Sequence, residues 1–524
     1  MDTCLKNSEN RSKSSFGRFA FGISESCFVF DFICAGEEIR TLESTKETGP
    51  KPVAFGQALQ PLHNFIISPS RYYIVCLINY SRKFPKDVKM LTTKYVRDNL
   101  GQIKASMERR ESNYPLAELL QLDEENRKMQ KQIQDLRSER NKGSEEISKL
   151  KKAGSEVSEG RITNLAEIRK TIEELEKKGT EAEARLNELL WNLPNSIDSS
   201  VPKGKDDSEN VEIRRVGRME KKTMKSHDEI LEGMDLLDLE QAAKVSGARF
   251  YYLKGDLALL EQALIRFQID ELTGKGYTLI SPPLMLKKDY YRGATATGDF
   301  REALYLVDES NEAKAEESLE HTENNLFLIA TSEHAIAALN AGKIFSNKDL
   351  PKKFVGISPC FRREAGSHGK DTKGIFRVHQ FYKVEQFIIS RQEDSQRFFD
   401  ELLANSEELA VKLGIPYRVV NICTGDIGTV AAKKYDIEGY MPGQDKYREL
   451  VSCSNCTDWQ SIRLDIRYDE GTTRKYAHTL NSTAMGSTTR ALVAIVENYY
   501  DAETGKIKIP DVLVPYMNGK REIG

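Results

Sequence analysis

Residues 354–388 read FVGISPCFRREAGSHGKDTKGIFRVHQFYKVEQFI, and this stretch decides the fold of the chain. Two apolar runs flank a polar loop that contains glycine and lysine, which predicts a β-hairpin. In the return run, residues two apart share a face, so Phe381, Lys383 and Glu385 point the same way. A pair of arginines beginning at Arg362 ends the first run, and arginine binds phosphate bidentately through its planar, permanently charged guanidinium. Taken alone, such a hairpin more often has one solvated face.

Length and composition indicate a globular protein of several domains. The chain has 524 residues, of which 39% are hydrophobic and 30% are charged, and a chain of this size predicts about three domains. No apolar run reaches the roughly 18 residues of a membrane helix, so we expect a soluble protein without a membrane partner. Because the net charge is only −3, any nucleic-acid partner must contact a local basic surface.

The eight cysteines are too few in so long a chain to form a disulfide framework, which favours a reducing compartment, the cytoplasm. Cys453 and Cys456 form a CxxC pair, which raises the alternative of a zinc site. No second CxxC pair and no nearby His-x-x-x-His sequence supplies the remaining ligands. We therefore expect the pair to line a buried strand.

Residues 1–89 form an atypical N-terminal extension. They hold four of the eight cysteines and show no sustained helical or strand period. A targeting peptide is one interpretation, because the first 20 residues are basic and rich in serine. Acidic residues follow from Glu25 onward, however, and transit peptides avoid them. The preferred interpretation is that translation begins at Met90 and that the extension is untranslated or disordered.

Heptad repeats predict a long helical hairpin over residues 90–195. Apolar residues recur every seven positions over 119–157 and again over 165–189, as on the a and d seams of a coiled coil. If the two helices pack antiparallel and residues whose numbers sum to 322 lie opposite each other, the apolar seams of the two helices match. This pairing places Gly143 opposite Gly179. Helices of about 39 residues give an arm about 58 Å long. The alternative is a dimerisation or spacer coil whose charged face is only solvated.

A linker and a larger globular domain follow the arm. Residues 196–210 are rich in Ser, Asp, Lys and Gly, which predicts a flexible linker over residues 196–215. In residues 216–524, hairpin connections favour an α+β fold, an antiparallel sheet flanked by helices. The chain contains no Walker loop or GxGxxG fingerprint, so a P-loop or Rossmann fold is not expected. No role is assigned to the acidic insert 308–323. The predicted strands are 278–286, 326–330, 354–360, 376–389, 416–422, 447–453 and 461–468.

Three stretches of this domain resemble the motifs of class II aminoacyl-tRNA synthetases. Residues 276–283 (GYTLISPP) are similar to motif 1, and the hairpin with FRRE at 361–364 is similar to motif 2. Residues 484–490 (AMGSTTR), which lead into an apolar helix, are similar to motif 3 but lack its usual paired glycines. The resemblance implies that residues 216–524 form a class II catalytic domain.

Further stretches resemble the seryl-tRNA synthetases of the bacterial-like type. They are residues 331–333 (TSE), 449–455 (ELVSCSN), 478–483 (HTLNST) and 514–517 (VPYM). In that family the helical hairpin binds tRNA, so the resemblance covers the chain from residue 90 to its end. It implies a homodimer that attaches L-serine to serine tRNA with ATP through a seryl-adenylate, and also to selenocysteine tRNA where that is present.

The resemblance also implies roles at the ATP site. Joining the serine carboxylate to the α-phosphate of ATP brings two anions together, so positive charge and Mg²⁺ do most of the work. Arg362 would bridge the two anions, Arg490 would hold the γ-phosphate, and Glu449 would act with them as a catalytic residue. Glu449 and Ser452 would carry Mg²⁺, which prefers oxygen ligands. The implied ATP site consists of Arg362, Arg363, Glu364, Val378, Glu449, Leu450, Val451, Ser452 and Arg490.

A serine pocket is implied in the same way. Glu385 is the candidate partner of the substrate hydroxyl, and Glu333 would lie nearer the ammonium group. A site built around a substrate hydroxyl rejects analogues without it by about 10⁴-fold or more. Thr331 is equally explained as the N-cap of an alanine-rich helix. The implied pocket consists of Thr331, Ser332, Glu333, Arg362, Glu385 and Thr483.

Three classes of function remain open at this point. The favoured class is a serine–tRNA ligase, and the others are an inactive paralogue that binds tRNA or protein and a structural coiled-coil protein. Retention of Arg362, Glu364, Glu449 and Arg490 argues against the inactive paralogue. The charged hairpin argues against a purely structural protein.

Overall fold

The computed structural model describes residues 17–23, 26–32, 91–296, 304–307, 326–364 and 373–524. The proposed start at Met90, the acidic insert 308–323 and most of the extension lie outside these residues. The chain divides into two compact units, Met1–Arg82 and Lys83–Gly524. The first contains an antiparallel hairpin of β1 (Gly17–Ile23) and β2 (Ser26–Phe32), in a stretch where no sustained strand pattern was recognised.

The helices of the second unit follow one another along the chain as α1 Thr93–Asp98, α2 Leu100–Arg109, α3 Leu116–Lys152, α4 Glu159–Asn192, α5 His227–Gly233, α6 Leu239–Ser246, α7 Gly255–Gly274, α8 Lys288–Ala294, α9 Ser332–Leu339, α10 Ser395–Lys412, α11 Trp459–Leu464 and α12 Thr488–Tyr499. Short 3-10 helices cover Asp207–Glu209, Asn347–Asp349 and Asp511–Met517. Within the described ranges, none of the helices is long and apolar enough to span a membrane.

The strands of this unit are β3 Val211–Val216, β4 Leu237–Asp238, β5 Tyr252–Leu253, β6 Thr278–Ile280, β7 Met285–Lys287, β8 Leu306–Val307, β9 Leu326–Leu328, β10 Ile344–Ser346, β11 Lys352–Phe361, β12 Gln380–Ser390, β13 Tyr417–Asn421, β14 Lys433–Met441, β15 Lys446–Asn455, β16 Arg467–Glu470, β17 Thr473–Tyr476, β18 His478–Ser487, β19 Tyr500–Asp501, β20 Lys506–Lys508 and β21 Glu522–Ile523. Eight of them form the main sheet in the order β3-β13-β14-β15-β18-β12-β11-β6. Neighbours are antiparallel except for the parallel pair β11 and β6. Helices α7, α10 and α12 contribute to its hydrophobic core. The predicted α+β fold is therefore confirmed.

The hairpin that dominates the sequence lies towards one edge of this sheet, between β18 and β6. Strands β11 and β12 pair over their whole length, with Gly356 opposite Glu385. A Cβ atom on Gly356 would lie 2.6 Å from Ser332 Oγ and 2.7 Å from Ile336 Cδ1. Glycine at this position therefore lets α9 approach β11 closely. This contact fixes the start of α9 next to the middle of the hairpin.

Two predicted strands differ from the structure. The predicted strand 461–468 is wrong, because α11 occupies its first half and β16 begins only at Arg467. All six residues of α11 are buried, and a short buried helix shows no polar face that would distinguish it from a buried strand. The predicted strand 278–286 is interrupted after β6, where Pro282 and Pro283 supply no backbone N–H for a ladder.

The antiparallel arm is confirmed, and it consists of α3 and α4. The 37 residues of α3 give a length of about 55 Å. The predicted register is wrong, because Gly143 packs against Leu165 and Gly179 lies nearest to Gln130. Their numbers sum to 308 and 309, which is about two heptads away from the predicted 322. A shift by whole heptads keeps apolar seams in contact, so the repeat alone does not determine the register.

The turn between the helices sets the register. Gly154 follows the last turn of α3 with a φ of +69°, a conformation that glycine adopts without steric cost. Its N–H donates to Lys151 O at 3.2 Å, and Ser155 N–H donates to Leu150 O at 3.0 Å. These two bonds form a Schellman motif that ends the helix. The chain therefore reverses earlier than the polar break at residues 158–160 indicated.

The base of the arm is packed against the larger domain, residues 216–524. Leu119, Leu189 and Leu193 share a buried cluster with Ile462 of α11. Arg463 of the same helix is fully buried and donates to the carbonyl oxygens of Leu190 at 3.2 Å and Leu193 at 3.3 Å. The last carbonyls of a helix lack helical partners, and a cation at that end is favourable. Arg463 therefore fastens the end of α4 to the domain.

The segment predicted as a flexible linker, residues 196–215, is also packed. Arg109 donates to the carbonyl oxygens of Asp198 at 3.0 Å and Val201 at 2.6 Å. Val201 is buried in a small apolar cluster with Val420, and β3 extends the main sheet beyond β13. The arm and the sheet are therefore joined by ordered chain.

Candidate active site

A cavity of about 490 Å³ opens at the main sheet, between the β11-β12 hairpin, β15, β18 and the start of α12. It brings together residues that are up to 196 positions apart in the sequence, from Ala294 to Arg490. The sequence-predicted residues that line it are Thr331, Glu333, Arg362, Glu364, Val378, Glu385, Glu449, Leu450, Ser452, Thr483 and Arg490. Three other predicted site residues, Ser332, Arg363 and Val451, are not among the described residues that line the cavity.

The alternation of side chains along a strand explains why some predicted residues line the cavity and others do not. On β15, Ser452 and Ser454 line the cavity, whereas Val451 and Cys453 are buried in the hydrophobic core, as expected for side chains that alternate between faces. A register shift after Ile437 of the paired strand leaves Leu450 as an extra residue. Such a bulge re-aims side chains. Glu449 and Ser452 therefore both line the cavity although they are three residues apart.

Buried charge occupies the end of the cavity next to α9. Glu385 and Lys383 are 1% and 7% exposed, and Glu385 Oε2 lies 2.6 Å from Lys383 Nζ. Burial raises the pKa of Glu385, while Lys383, a hydrogen bond from Thr483 and the charge of Arg362 oppose the rise. Because an unpaired buried charge is costly, the pair stabilises both groups in a pocket of small volume.

Glu333 is the second carboxylate at this end. Its backbone N–H donates to Thr331 Oγ1 at 3.2 Å, so Thr331 is the N-cap of α9 and also lines the cavity. Its Oε1 accepts from Gln460 Nε2 at 2.8 Å. Burial and the nearby Glu385 raise the pKa of Glu333 to about 7, against the lowering effects of Lys383, Gln460 and Arg362.

The opposite end of the cavity is built around Arg490. Its Nη1 lies 3.0 Å from the carbonyl oxygen of Glu449 and 3.2 Å from Glu449 Oε2. Burial by surrounding protein raises the pKa of Glu449, but Arg490, Lys434 and Arg362 outweigh it and lower the pKa to about 2. The Glu449 side chain is still 47% exposed, so its carboxylate is accessible from the cavity.

The stretch similar to motif 3 is the junction of β18 and α12. Gly486 has a φ of +68°, which glycine tolerates and other residues rarely adopt. Ser487 is the N-cap of α12, and its Oγ accepts from the N–H of Arg490 at 3.4 Å. One glycine and one capping serine thus turn the chain here, and they place Arg490 in the first turn of the helix.

Several lining residues were not assigned from the sequence. The two-residue period of β12 places Lys383 on the face of Glu385, so the signal was present but no role was attached to it. Lys434 lies on β14, a strand that was not predicted, and Phe376 precedes β12 by several residues. The guanidinium carbons of Arg448 and Arg490 lie 4.1 and 5.0 Å from the centre of the Phe376 ring.

His334 and Cys456 of the CxxC pair line the cavity close to Glu333, whereas Cys453 lies in the hydrophobic core. Burial lowers the pKa of His334 to about 3, with Lys383 and Arg362 adding to the effect. Cys453 lies in β15 and Cys456 just after it, and both are buried free thiols. Burial raises the pKa of each thiol. The pair therefore lines a buried strand, as its spacing and surroundings predicted.

Comparison with known proteins agrees with this geometry. The family described as "tRNA synthetase class II core domain (G, H, P, S and T)" matches residues 314–499. An antiparallel sheet that carries an arginine-lined cavity, together with this match, defines a class II aminoacyl-tRNA synthetase. The family described as "Seryl-tRNA synthetase N-terminal domain" matches residues 90–197, which include the arm.

Individual relatives narrow the class to one family. Serine–tRNA ligase of Methanocella arvoryzae is 45% identical over 82% of this chain and 99% of its own. Seryl-tRNA synthetase from Pyrococcus horikoshii, crystallised with ATP, has a TM-score of 0.73 at 45% identity over 83% of this chain and 99% of its own. Cytoplasmic serine–tRNA ligase from Naegleria fowleri, in complex with AMP, has a TM-score of 0.69 at 35% identity over 83% and 98%. The chain belongs to the seryl-tRNA synthetase family, and the bacterial-like type stays a prediction.

Proposed function

We propose that this cavity activates L-serine with ATP and that the enzyme then transfers the serine from a seryl-adenylate to serine tRNA, in the cytoplasm. The observation that carries the proposal is the position of Arg362. Arg362 lines the cavity together with Glu333 and Glu385 at one end and Glu449 at the other, and its charge opposes the rise in the pKa of Glu333 and Glu385 and helps to lower the pKa of Glu449. One guanidinium thus lies between a pocket for a small polar amino acid and a site for phosphates.

The proposed activation step joins two anions. An oxygen of the serine carboxylate attacks the α-phosphorus of ATP, a P–O bond forms, and the bond to the departing pyrophosphate breaks. Arg362 contacts both the carboxylate and the α-phosphate, which places the reacting groups side by side and offsets their repulsion. Arg490 holds the pyrophosphate end, and Glu364 and the backbone of Val378 face the adenine.

Mg²⁺ fits the residues at the phosphate end. The Glu449 carboxylate is accessible from the cavity. In the same region, the Ser452 hydroxyl forms a hydrogen bond with the Asp436 carboxylate. In the described part of the chain, no group of three or more His, Cys, Asp or Glu side chains forms a metal site. Glu449 and Ser452 would therefore hold Mg²⁺ jointly with ATP, as Mg²⁺ usually binds through one or two protein oxygens plus phosphates. The ion would neutralise phosphate charge.

The proposal is tested by ATP–pyrophosphate exchange with each of the twenty amino acids. Exchange should require Mg²⁺ and should be fastest, in kcat/KM, with L-serine. A synthetase for another amino acid would show its highest kcat/KM with that amino acid. An inactive paralogue would show no exchange with any of them, although it could still bind tRNA.

Serine specificity is expected to depend on Glu385. If this carboxylate accepts from the substrate hydroxyl, Glu385→Ala should lower kcat/KM for serine about a hundredfold more than for alanine, because only serine loses a buried hydrogen bond. The measurement is the ratio of the two values in the exchange assay.

The control must account for Lys383, which Glu385→Ala would leave buried without its 2.6 Å partner. An unpaired buried charge of this kind lowers the free energy of unfolding by about 3–5 kcal/mol. The double variant Glu385→Ala/Lys383→Met removes both charges. It should lower the ratio of kcat/KM for serine to kcat/KM for alanine as much as Glu385→Ala does. An unchanged serine-to-alanine ratio in both variants would remove Glu385 from this role.

We also propose that the enzyme is a homodimer assembled through the motif 1 region. Strand β6 lies at one edge of the main sheet, and Leu279 on it is 44% exposed. Met285, a few residues later, is 42% exposed. Exposed apolar residues at a strand edge are typical of a surface that pairs with another chain, and two-fold assembly uses one patch twice.

Light scattering should find a dimer for the full chain and for a variant that lacks residues 1–89. Leu279→Asp/Met285→Asp should shift it towards monomer, because charge in an apolar interface is costly. The matched control is Val411→Asp, at a 58% exposed residue of α10, which should leave the mass unchanged. A full-length monomer that still activates serine would contradict the proposal.

A further inference from the structure

We propose that Gln460 of α11 is a positioning residue for serine binding, which holds the Glu333 carboxylate in place for the substrate ammonium. The inference rests on the proposed role of Glu333. Gln460 is fully buried, and its Nε2 lies 2.8 Å from Glu333 Oε1 and 2.9 Å from Ala294 O. Both amide hydrogens are therefore used, one to fix the carboxylate and one to fix the end of α8.

The carboxylate needs such a partner. Glutamate loses up to about 2 kcal/mol of side-chain entropy when it is ordered, and a half-buried carboxylate such as Glu333 is stabilised in its charged form by a hydrogen bond. Lys383 and Glu385 of β12 face it with opposite signs, so an unheld side chain could turn towards the lysine. The amide of Gln460 favours the orientation that the cavity presents.

The helix that carries Gln460 is itself fixed. Trp459 Nε1 donates to Leu193 O at 3.1 Å, and Arg463 donates to carbonyl oxygens at the end of α4. The guanidinium of Arg463 also lies 3.5 Å from the centre of the Trp459 ring. One short buried helix therefore fastens the base of the arm on one side and the serine pocket on the other. A site held by packed neighbours keeps its geometry within fractions of an ångström.

The ionisation of Glu333 makes the role measurable. The charged or titratable groups around it are Glu385, Lys383, Arg362, His334, Tyr291 and Cys456. Burial raises the pKa of Glu333 to about 7, and the hydrogen bond from Gln460 is one of the effects that lower it. An ammonium substrate binds the ionised carboxylate, so the KM for serine should fall as pH rises through this pKa. Removing the hydrogen bond should move the transition to higher pH.

The test compares wild type with Gln460→Met, which keeps the side-chain length and removes both donors. In serine-dependent exchange at pH 7, the KM for serine should rise about tenfold, while kcat and the KM for ATP stay within about twofold. The pH at which the KM for serine is half-way through its transition should move upward. The matched control is Gln392→Met, which removes a 3.0 Å bond from Nε2 to Tyr476 O outside the cavity and should change neither quantity.

The outcomes are distinguishable. Glu333→Gln removes the charge itself, and it should raise the KM for serine at least as much as Gln460→Met and abolish the pH transition. If Glu333→Gln leaves the KM for serine unchanged, the proposed role of Glu333 fails and this inference fails with it. If only Gln460→Met is without effect, the positioning role alone is overturned. The positioning role would also be overturned if Gln460→Met raised the KM for serine and the KM for ATP equally and lowered the urea midpoint of unfolding. Such a result would indicate a general structural role for Gln460.

Discussion

Replacing residues 131–178 of the arm by a short Gly-Ser turn is expected to lower kcat/KM for tRNA serylation about a hundredfold, or about 2.7 kcal/mol, mainly through the KM for tRNA. ATP–pyrophosphate exchange should stay within a few-fold of wild type. The cut follows the observed register, in which Gln130 lies next to Gly179. It leaves intact the packed base of the arm, including Leu119 and Leu186.

The physical reason is length and charge. An arm of about 55 Å is much longer than the cavity that is proposed to hold serine and ATP, and it is long enough to reach a large substrate such as tRNA. Phosphate contacts weaken with salt, because binding releases condensed counterions. The exposed basic residues within the removed segment are Lys131, Arg137, Lys142, Lys149, Lys151, Lys152, Arg161, Arg169, Lys170, Lys177 and Lys178. Changing several of them to glutamine should reduce the salt dependence of the KM for tRNA while the arm itself stays folded.

Each alternative role of the arm gives a different result. Normal charging by the shortened protein would indicate that the arm is a spacer or a dimerisation coil. Loss of exchange together with charging would contradict the prediction that the catalytic domain folds and activates serine without the distal arm. Circular dichroism and the urea midpoint would then show whether the domain had unfolded.

Arg362→Ala is expected to reduce serine-dependent exchange about a thousandfold, equivalent to about 4 kcal/mol of lost transition-state stabilisation. The arginine lies between the buried carboxylates of the serine pocket and Glu449, where two substrate anions would meet. Its guanidinium carbon lies 5.2 Å from the centre of the Phe381 ring, which restricts its position. Arg362→Lys keeps the charge but loses the planar fork, so a loss of at least about tenfold is expected.

The adjacent arginine provides a matched control. Arg363 differs from Arg362 by one position in the chain, but it does not line the cavity among the described residues. Arg363→Lys should therefore reduce exchange much less than Arg362→Lys does. Equal effects of the two lysine variants, or near-wild-type exchange by Arg362→Lys, would contradict the assigned role of Arg362.

Much of the architecture could be predicted from local sequence. The hairpin of β11 and β12 follows from two apolar runs around a polar loop, and the arm follows from heptads. Thr331 is both the predicted N-cap of α9 and a cavity residue. These features depend on neighbours in the sequence, so the residues themselves carry the signal.

The polar strands of the cavity were harder to recognise. Strand β18 contains His478, Thr479, Asn481, Ser482 and Thr483, and it lies in the middle of the main sheet. Buried strands are usually apolar, but Asn481 and Thr483 of this strand line the cavity, which also contains charged side chains. Their functional composition therefore conceals their secondary structure.

The sequence by itself determined that the chain has a heptad arm, a charged hairpin and a set of motif residues near its end. Only the tertiary structure decided the register of the arm, because apolar seams match after any shift of whole heptads and the Schellman turn at Gly154 selects one of them. It also decided that residues 459–464 form a helix and that Gln460 meets Glu333 across 127 positions of chain. Contacts between distant segments leave no local pattern, because each residue's neighbours are then set by packing and not by sequence spacing.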